Sequence, residues 1–276
     1  MLSADWTCWI RENLERGCSP DSLVRVMLAQ RIDEHEAAGA VARELERLAG
    51  ARPAAGPCWP AGFVFRFANV AAIGGREIRV VARLDRPAAV LLENVLSMQE
   101  CDYLIARSKE QTLPSTVVSP DTGDMTTIAA RSSEGAWFAR GHDEAIAAIE
   151  TRLAELMRTP VAHGEGLQVL HYRVGGEYRP HYDYFPPEQP GSAPHLTRGG
   201  QRTASLIMYL NSPEAGGETV FPLPGVAFVP RRGCALYFAY SDGHGQLDAS
   251  SLHGGAPVTG GEKWIATKWV REHPYE

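Results

Sequence analysis

No apolar run in the chain approaches the ~18 consecutive residues that a membrane-crossing helix needs. The opening residues, Met1-Leu2-Ser3-Ala4-Asp5-Trp6, have neither the basic nor the apolar region of a secretory signal. Cysteine is scarce and unpatterned. Cys8, Cys18, Cys58, Cys101 and Cys234 make an odd count without a Cys-x-x-Cys spacing, which argues against a zinc knuckle and against a disulfide framework. These absences lead us to expect a cytoplasmic protein with no membrane partner. Positive charge is also in deficit: Lys and Arg number 27 against 33 Asp and Glu, a formal charge of −6, with a pI near 5.9. The arginines are scattered rather than gathered into a stripe, so a nucleic-acid partner is not expected.

With 276 residues, 44% of them hydrophobic, the chain is long enough for one large core and a small accessory region. Residues 3–16 and 20–48 read as helices: Ser19 is an N-cap followed by Pro20 at the first helical position, and Leu23, Val26, Met27 and Ile32 lie near helical spacing. Periodicity fails over residues 51–62, where proline and glycine accumulate. The expected organisation is a helical accessory region over 1–50, a linker over 51–62 and a main domain over 63–276. Within that domain, residues 63–84 read as a hairpin turning at Gly74-Gly75. Ser97-Met98-Gln99-Glu100 is a capping box opening a helix to about Lys109. Residues 143–157 read as a second helix, with Ile146, Ile149, Leu153 and Leu156 as its apolar stripe. Thereafter the pattern changes to short β-rich runs at 167–173, 178–185, 202–211, 218–221, 234–240, 247–253 and 263–271. Such runs, parted by Gly and Pro, make an α+β protein whose core, about residues 165–273, is a sandwich or jelly roll braced by helices. Two long loops, 120–133 and 186–200, are expected to act as lids.

The chemistry centres on Arg179-Pro180-His181-Tyr182-Asp183-Tyr184-Phe185. A strand puts residues two apart on one face, so His181 and Asp183 aim at one point. A lone His-x-Asp pair is a weak signal. His253, in Ser251-Leu252-His253-Gly254-Gly255, would complete the two-histidine, one-carboxylate triad that holds non-haem Fe(II) and leaves positions open for a chelating cosubstrate and dioxygen. Alternation over Lys263–Arg271 puts Lys263, Ile265, Thr267, Trp269 and Arg271 on one strand face. A lysine facing the interior is costly unless paired, and the far carboxylate of a 2-oxo dicarboxylate would pair with it. His35, His142, His163, His195, His244 and His273 are read as ordinary surface or core histidines. His171 alternates away from Tyr172 and is expected to point out of the pocket.

Around these residues, over roughly 90–273, the chain resembles the prolyl 4-hydroxylase branch of the Fe(II)- and 2-oxoglutarate-dependent dioxygenases. The matching stretches, in order, include Glu165-Gly166-Leu167-Gln168-Val169-Leu170-His171-Tyr172, Pro180-His181-Tyr182-Asp183-Tyr184-Phe185, Gly199-Gly200-Gln201-Arg202, Met208-Tyr209-Leu210, Gly216-Gly217-Glu218-Thr219-Val220-Phe221-Pro222, Ser251-Leu252-His253-Gly254 and Lys263-Trp264. The resemblance implies a double-stranded β-helix core, Fe(II) held by His181, Asp183 and His253, and 2-oxoglutarate held by Lys263 with hydroxyl contacts from Tyr172 and Thr219. It also implies dioxygen as cosubstrate, ascorbate as reductant, and a substrate wall at Tyr178, Arg202 and Trp269. Some members carry a substrate-binding histidine two residues after that tryptophan. This chain has Arg271 there, a fixed positive charge expected to favour an acidic residue beside the target proline. The expected activity is C4 hydroxylation of proline in a peptide or protein partner, with release of succinate and CO2. Two alternatives stand beside it: the same iron chemistry on a free amino acid or another peptidyl residue, and a binding or sensing protein that recruits a partner through residues 1–50.

Overall fold

A computed structural model describes residues 4–15, 18, 20–50, 59–111, 113–114, 117–118, 125–126, 132–187, 189–241 and 246–276. Three helices open the chain: α1 (Ala4–Glu15), α2 (Pro20–Ala29) and α3 (Glu34–Gly50). They bury Ile10, Leu14, Leu23, Met27, Ala37, Ala40 and Val41 in a core of their own. The single helix expected over 20–48 is therefore two. Arg31 takes φ 64, and the amides of Ile32 and Arg31 bond to the carbonyls of Met27 and Leu28, the paired bonds of a Schellman stop. Arginine stands where such a stop usually has glycine, so nothing in the composition marks it. No helix among the described residues is long and apolar enough to cross a membrane.

The main domain begins before the end of the expected linker. Trp59 is buried and stacks on Phe63, which stacks on Tyr237. Residues 64–66 form a 3-10 turn, so the hairpin is shorter than expected. It pairs β1 (Val70–Ile73) with β2 (Arg76–Leu84), turning where Gly74 and Gly75 both have positive φ, 52° and 74°, which a type I′ turn demands.

The remaining strands are β3 (Ala88–Glu93), β4 (Leu113–Pro114), β5 (Val117–Val118), β6 (Met125–Thr126), β7 (Glu134–Phe138), β8 (Gly164–Tyr172), β9 (Tyr178–His181) and β10 (Arg202–Tyr209). After these come β11 (Ala215–Gly216), β12 (Thr219–Phe221), β13 (Val226–Phe228), β14 (Ala235–Ala239), β15 (His253–Gly255), β16 (Val258–Gly260) and β17 (Lys263–Arg271). A nine-stranded sheet runs β1-β2-β3-β14-β10-β17-β8-β7-β4, and a four-stranded sheet runs β13-β12-β15-β9. Strand β3 was not anticipated: Ala88-Ala89-Val90-Leu91-Leu92 is an unbroken apolar run without the alternation that marks a half-exposed strand.

Alternation along the large sheet divides two cores. Leu206, Met208, Ala266 and Val270 point to one face, under the helices α4 (Met98–Lys109) and α5 (Glu144–Met157). Ile207, Tyr209 and Ile265 point to the other, against Phe221 and Phe228 of the small sheet. This is the jelly-roll core, with the small sheet packed on that face. Both helix starts are as the sequence indicates: Ser97 and Glu100 form a reciprocal capping box, and Asp143 caps the Ile146 amide at 2.9 Å. Ile146, Ile149, Leu153 and Leu156 are fully buried, each stabilising the helix-sheet contact by about 1.5–3 kcal/mol. Lys268 faces α5 and pairs there with buried Glu150.

Two expected strands differ from their runs, one ending early and one starting late. The run 178–185 is strand only to His181, because the Gln201 side chain bonds both the amide and the carbonyl of Phe185 and so takes the place of ladder bonds. The run 247–253 is a bridge at Leu247 and a 3-10 turn at 249–251, with strand starting at His253. Asp183 thus lies past the strand end, in a bend that turns it back towards His181.

Candidate metal centre

Strands β9 and β15 pair antiparallel with His181 opposite His253. Only glycine fits at 254, since a Cβ there would lie 2.8 Å from the Tyr178 carbonyl oxygen. This close approach brings the two imidazoles to 4.5 Å between ring centres. Asp183 completes the group: its Oδ1 is 3.7 Å from His181 Nε2 and its Oδ2 is 3.5 Å from His253 Nε2. Donors sharing one first-row ion at about 2.1 Å stand roughly 3–4 Å apart, so the spacing has the scale of a metal site. Among the described residues this is the one His, Cys, Asp and Glu group able to hold an ion, all its ligand atoms lying within 4.8 Å of one another.

The tautomers follow from the hydrogen bonds. His181 Nδ1 is 2.9 Å from the Arg179 carbonyl and His253 Nδ1 is 3.0 Å from the Ser251 carbonyl. A carbonyl only accepts, so each Nδ1 carries a proton and each Nε2 is the ring nitrogen turned towards Asp183. Tyr178 stacks on His181 at 3.6 Å, and Phe238 packs on His253 at 4.5 Å, which fixes both ring planes. Burial pushes the His253 pKa down to about 4 against the pull of Asp183, so the imidazole is neutral at pH 7 and suited to a metal. Burial would raise the Asp183 carboxyl, but His253, His181 and Arg202 overrule it and hold it well below the usual carboxylate range.

Beside the triad lies Lys263, 3% exposed and opposite Tyr172 in the β17–β8 register. Its Nζ stands 5.4 Å from the Tyr172 ring centre. Burial lowers its pKa to about 8, with Glu218 pulling the other way. Gly255, next to Thr219 in register, leaves the ammonium uncovered: a Cβ there would sit 3.5 Å from Nζ. Tyr209 donates to Thr219 Oγ1 at 2.9 Å, so the threonine's own proton can point elsewhere. A buried ammonium against Gly255, two residues on from His253 and across the ladder from Thr219, fits a dicarboxylate that binds metal at one end and lysine at the other.

Arg202 and Trp269 lie behind Asp183. The Arg202 guanidinium forms a two-pronged pair with Glu165, at 2.6 and 2.9 Å, reaches the Asp183 carbonyl at 3.2 Å and covers the Trp269 ring at 4.1 Å. Trp269 in turn stacks with half-exposed Trp137. Arg271 needs correction. It is 3% exposed and makes three hydrogen bonds, to Glu165 and to the His195 and Gly200 carbonyls, so its charge is spent inside the wall rather than offered to a substrate. Arg271→His should therefore lower stability, at about 1.5–3 kcal/mol for the charge-assisted bond to Glu165, seen as a lower melting temperature with the preference for flanking charge unchanged. The expected lid at 186–200 is corrected by the same contacts. Arg271 ties it at two carbonyls, Gln201 ties it at Phe185, and His195 stacks on Phe185 at 5.0 Å. Most of the 120–133 loop, like His244, lies outside the described residues. His171 points to the helix side, stacked on Trp264 and bonded to Glu262.

Residues 167–271 match the model of the 2OG-Fe(II) oxygenase superfamily. Over 209 residues the chain is 43% identical to probable prolyl 4-hydroxylase 10 of Arabidopsis thaliana, an alignment covering 69% of this chain and 71% of that one. The chain belongs to the prolyl 4-hydroxylase branch of that superfamily. It is also 40% identical over 222 residues to prolyl 4-hydroxylase 5 of the same plant, covering 74% of each chain. Among solved structures, a viral collagen prolyl hydroxylase from Paramecium bursaria Chlorella virus-1, in complex with 2-oxoglutarate, superposes with a TM-score of 0.52 at 31% identity. That match covers 66% of this chain and 95% of the viral one. As a member of the branch, the protein is an oxidoreductase that uses Fe(II), 2-oxoglutarate and dioxygen.

For this prolyl 4-hydroxylase-branch enzyme, sequence reasoning passed over Glu165, Ser205, Tyr209 and Tyr240. A signal existed for two of them. Ser205 and Tyr209 fall in phase with Ile207 on the pocket face of β10, and a hydroxyl at an inward position asks for a partner.

Proposed function

We propose that this enzyme hydroxylates C4 of proline within a peptide or protein, converting 2-oxoglutarate and dioxygen to succinate and CO2 as it does so. The observation that carries the reading is the convergence of His181, Asp183 and His253 on one point beside the buried Lys263. When bound, Fe(II) supplies the oxidising chemistry that couples decarboxylation to hydroxylation. The residues of the chain do the positioning. His181, Asp183 and His253 would hold the ion. Lys263, Thr219 and Tyr172 would bind and orient 2-oxoglutarate, and the aromatic walls of the pocket limit water. Tyr178 and Trp269 would form the substrate wall, which Arg202 backs through its bonds to Glu165 and the Asp183 carbonyl, and an extended proline-rich peptide loses little entropy on entering a groove. The substrate class is supported by the names of the Arabidopsis relatives, and ascorbate as reductant is part of the same proposal. Incubating the enzyme with proline-containing peptides and locating any added oxygen by fragment mass tests it. One oxygen on proline C4, matched by one succinate, is expected; oxygen on free proline alone or on another residue would overturn the peptidyl-proline assignment.

Residues 1–50 we propose to be an accessory unit, since their helices pack on their own core. A chain starting at residue 59, which keeps the Trp59 stack on Phe63, should bind metal and 2-oxoglutarate as the full chain does; an insoluble or unfolded product would make the helices part of the catalytic fold. We also propose a reducing compartment, which the free state of Cys8, Cys18, Cys101 and Cys234 supports.

A further inference from the structure

Asp183 has a buried partner beyond the histidines. The Ser205 hydroxyl lies 2.6 Å from Asp183 Oδ2, and the Tyr240 hydroxyl lies 3.2 Å from Ser205 Oγ. Ser205 and Tyr240 are wholly buried. The proton directions can be deduced. An ionised carboxylate only accepts, so the single Ser205 proton points at Oδ2; the serine oxygen can then only accept, and Tyr240 must donate to it. A chain of two hydroxyls thus runs Tyr240 to Ser205 to Asp183, ending in a bond whose length is that of a charge-assisted contact.

We propose that Ser205, backed by Tyr240, is a positioning residue for the metal: by donating to Oδ2 of Asp183 it holds the carboxylate in the orientation that faces both imidazoles. The inference rests on the metal-site reading above. Arg202 restrains Asp183 through its main-chain carbonyl, not its carboxylate, so rotation of the carboxylate is left for the serine to stop. The serine is itself immobile, held in the middle of β10 between Phe238 of β14 and Trp269 of β17 in register. Tyr240 is tied through its amide to the Thr203 carbonyl and through its own carbonyl to the Asp248 amide, and its ring packs against Tyr184 and Phe238. Without the serine bond, Asp183 could swing its carboxylate away from the point the two imidazoles share, and a ligand that must be ordered anew binds the ion more weakly.

Calorimetric titration of the full, metal-free chain with Mn(II) tests this without turnover. Ser205→Ala should weaken Mn(II) binding by about 10–100-fold, the usual cost of losing an outer partner of a ligand, and Ser205→Thr, which keeps the hydroxyl, should stay within about threefold of the parent. Tyr240→Phe should weaken it by about two- to tenfold alone and add nothing in the Ser205→Ala background, because it acts only through Ser205. Thermal melts of the metal-free variants separate these effects from loss of fold. Parent-like Mn(II) affinity in Ser205→Ala, or an equal effect of Tyr240→Phe in both backgrounds, would overturn the proposal. Should Ser205→Ala not fold, Tyr240→Phe decides: weakened binding supports the chain of hydroxyls, and unchanged binding refutes it. A parent that binds no Mn(II) at all would instead refute the metal site.

Discussion

Asp183→Ala is expected to abolish turnover and to weaken divalent-metal binding by more than the roughly 10–100-fold that loss of an outer partner costs. The reason is electrostatic as well as geometric. The change removes the one anionic ligand and leaves two imidazoles 4.5 Å apart, too few donors for a two-histidine, one-carboxylate site. The fold should survive, because Arg202 holds this segment through the Asp183 carbonyl, which alanine keeps. Succinate release, Mn(II) titration and a thermal melt on the same preparation check all three parts. Normal succinate release by the variant would dismiss the triad.

Lys263→Ala should weaken 2-oxoglutarate binding by about ten- to a hundred-fold, the equivalent of roughly 1.5–3 kcal/mol for a charge-assisted contact. The same lysine sets a pH dependence. Its pKa in the free protein is lowered to about 8, and only the protonated form attracts a carboxylate. Below that value binding should be flat with pH. As pH rises through 8 the ammonium is lost, and the dissociation constant should climb about tenfold per unit until the higher pKa of the liganded lysine is passed. Lys263→Arg, always charged, should show no such climb. Unchanged affinity in Lys263→Ala would mean that another cation holds the far carboxylate.

Much of this site was legible because its signals are local. Two-residue periodicity put Lys263, Ile265 and Trp269 on one face of β17, and the packing of Ile265 against Tyr209 and Phe221 shows the same phase. Ser97 announced a helix start because a cap acts within three residues. What escaped was set by distant parts of the chain. The strand ends at His181 rather than Phe185 because of Gln201, sixteen residues on. Arg271 reads as a free charge until Glu165, 106 residues earlier, is seen to neutralise it. The end of α2 uses an arginine in a left-handed conformation, a choice made by backbone geometry rather than residue type.

On the proposed function, one pocket built by His181, Asp183, His253 and Lys263 couples 2-oxoglutarate oxidation to substrate hydroxylation. Isotope labelling tests that coupling directly. With 18O-labelled dioxygen, 2-oxoglutarate and a proline-containing peptide, mass spectrometry should find one labelled oxygen in succinate and one in the hydroxyproline of the same reaction. Both labels should vanish together in Asp183→Ala. Hydroxyproline whose oxygen comes from water, or succinate formed without label, would contradict it.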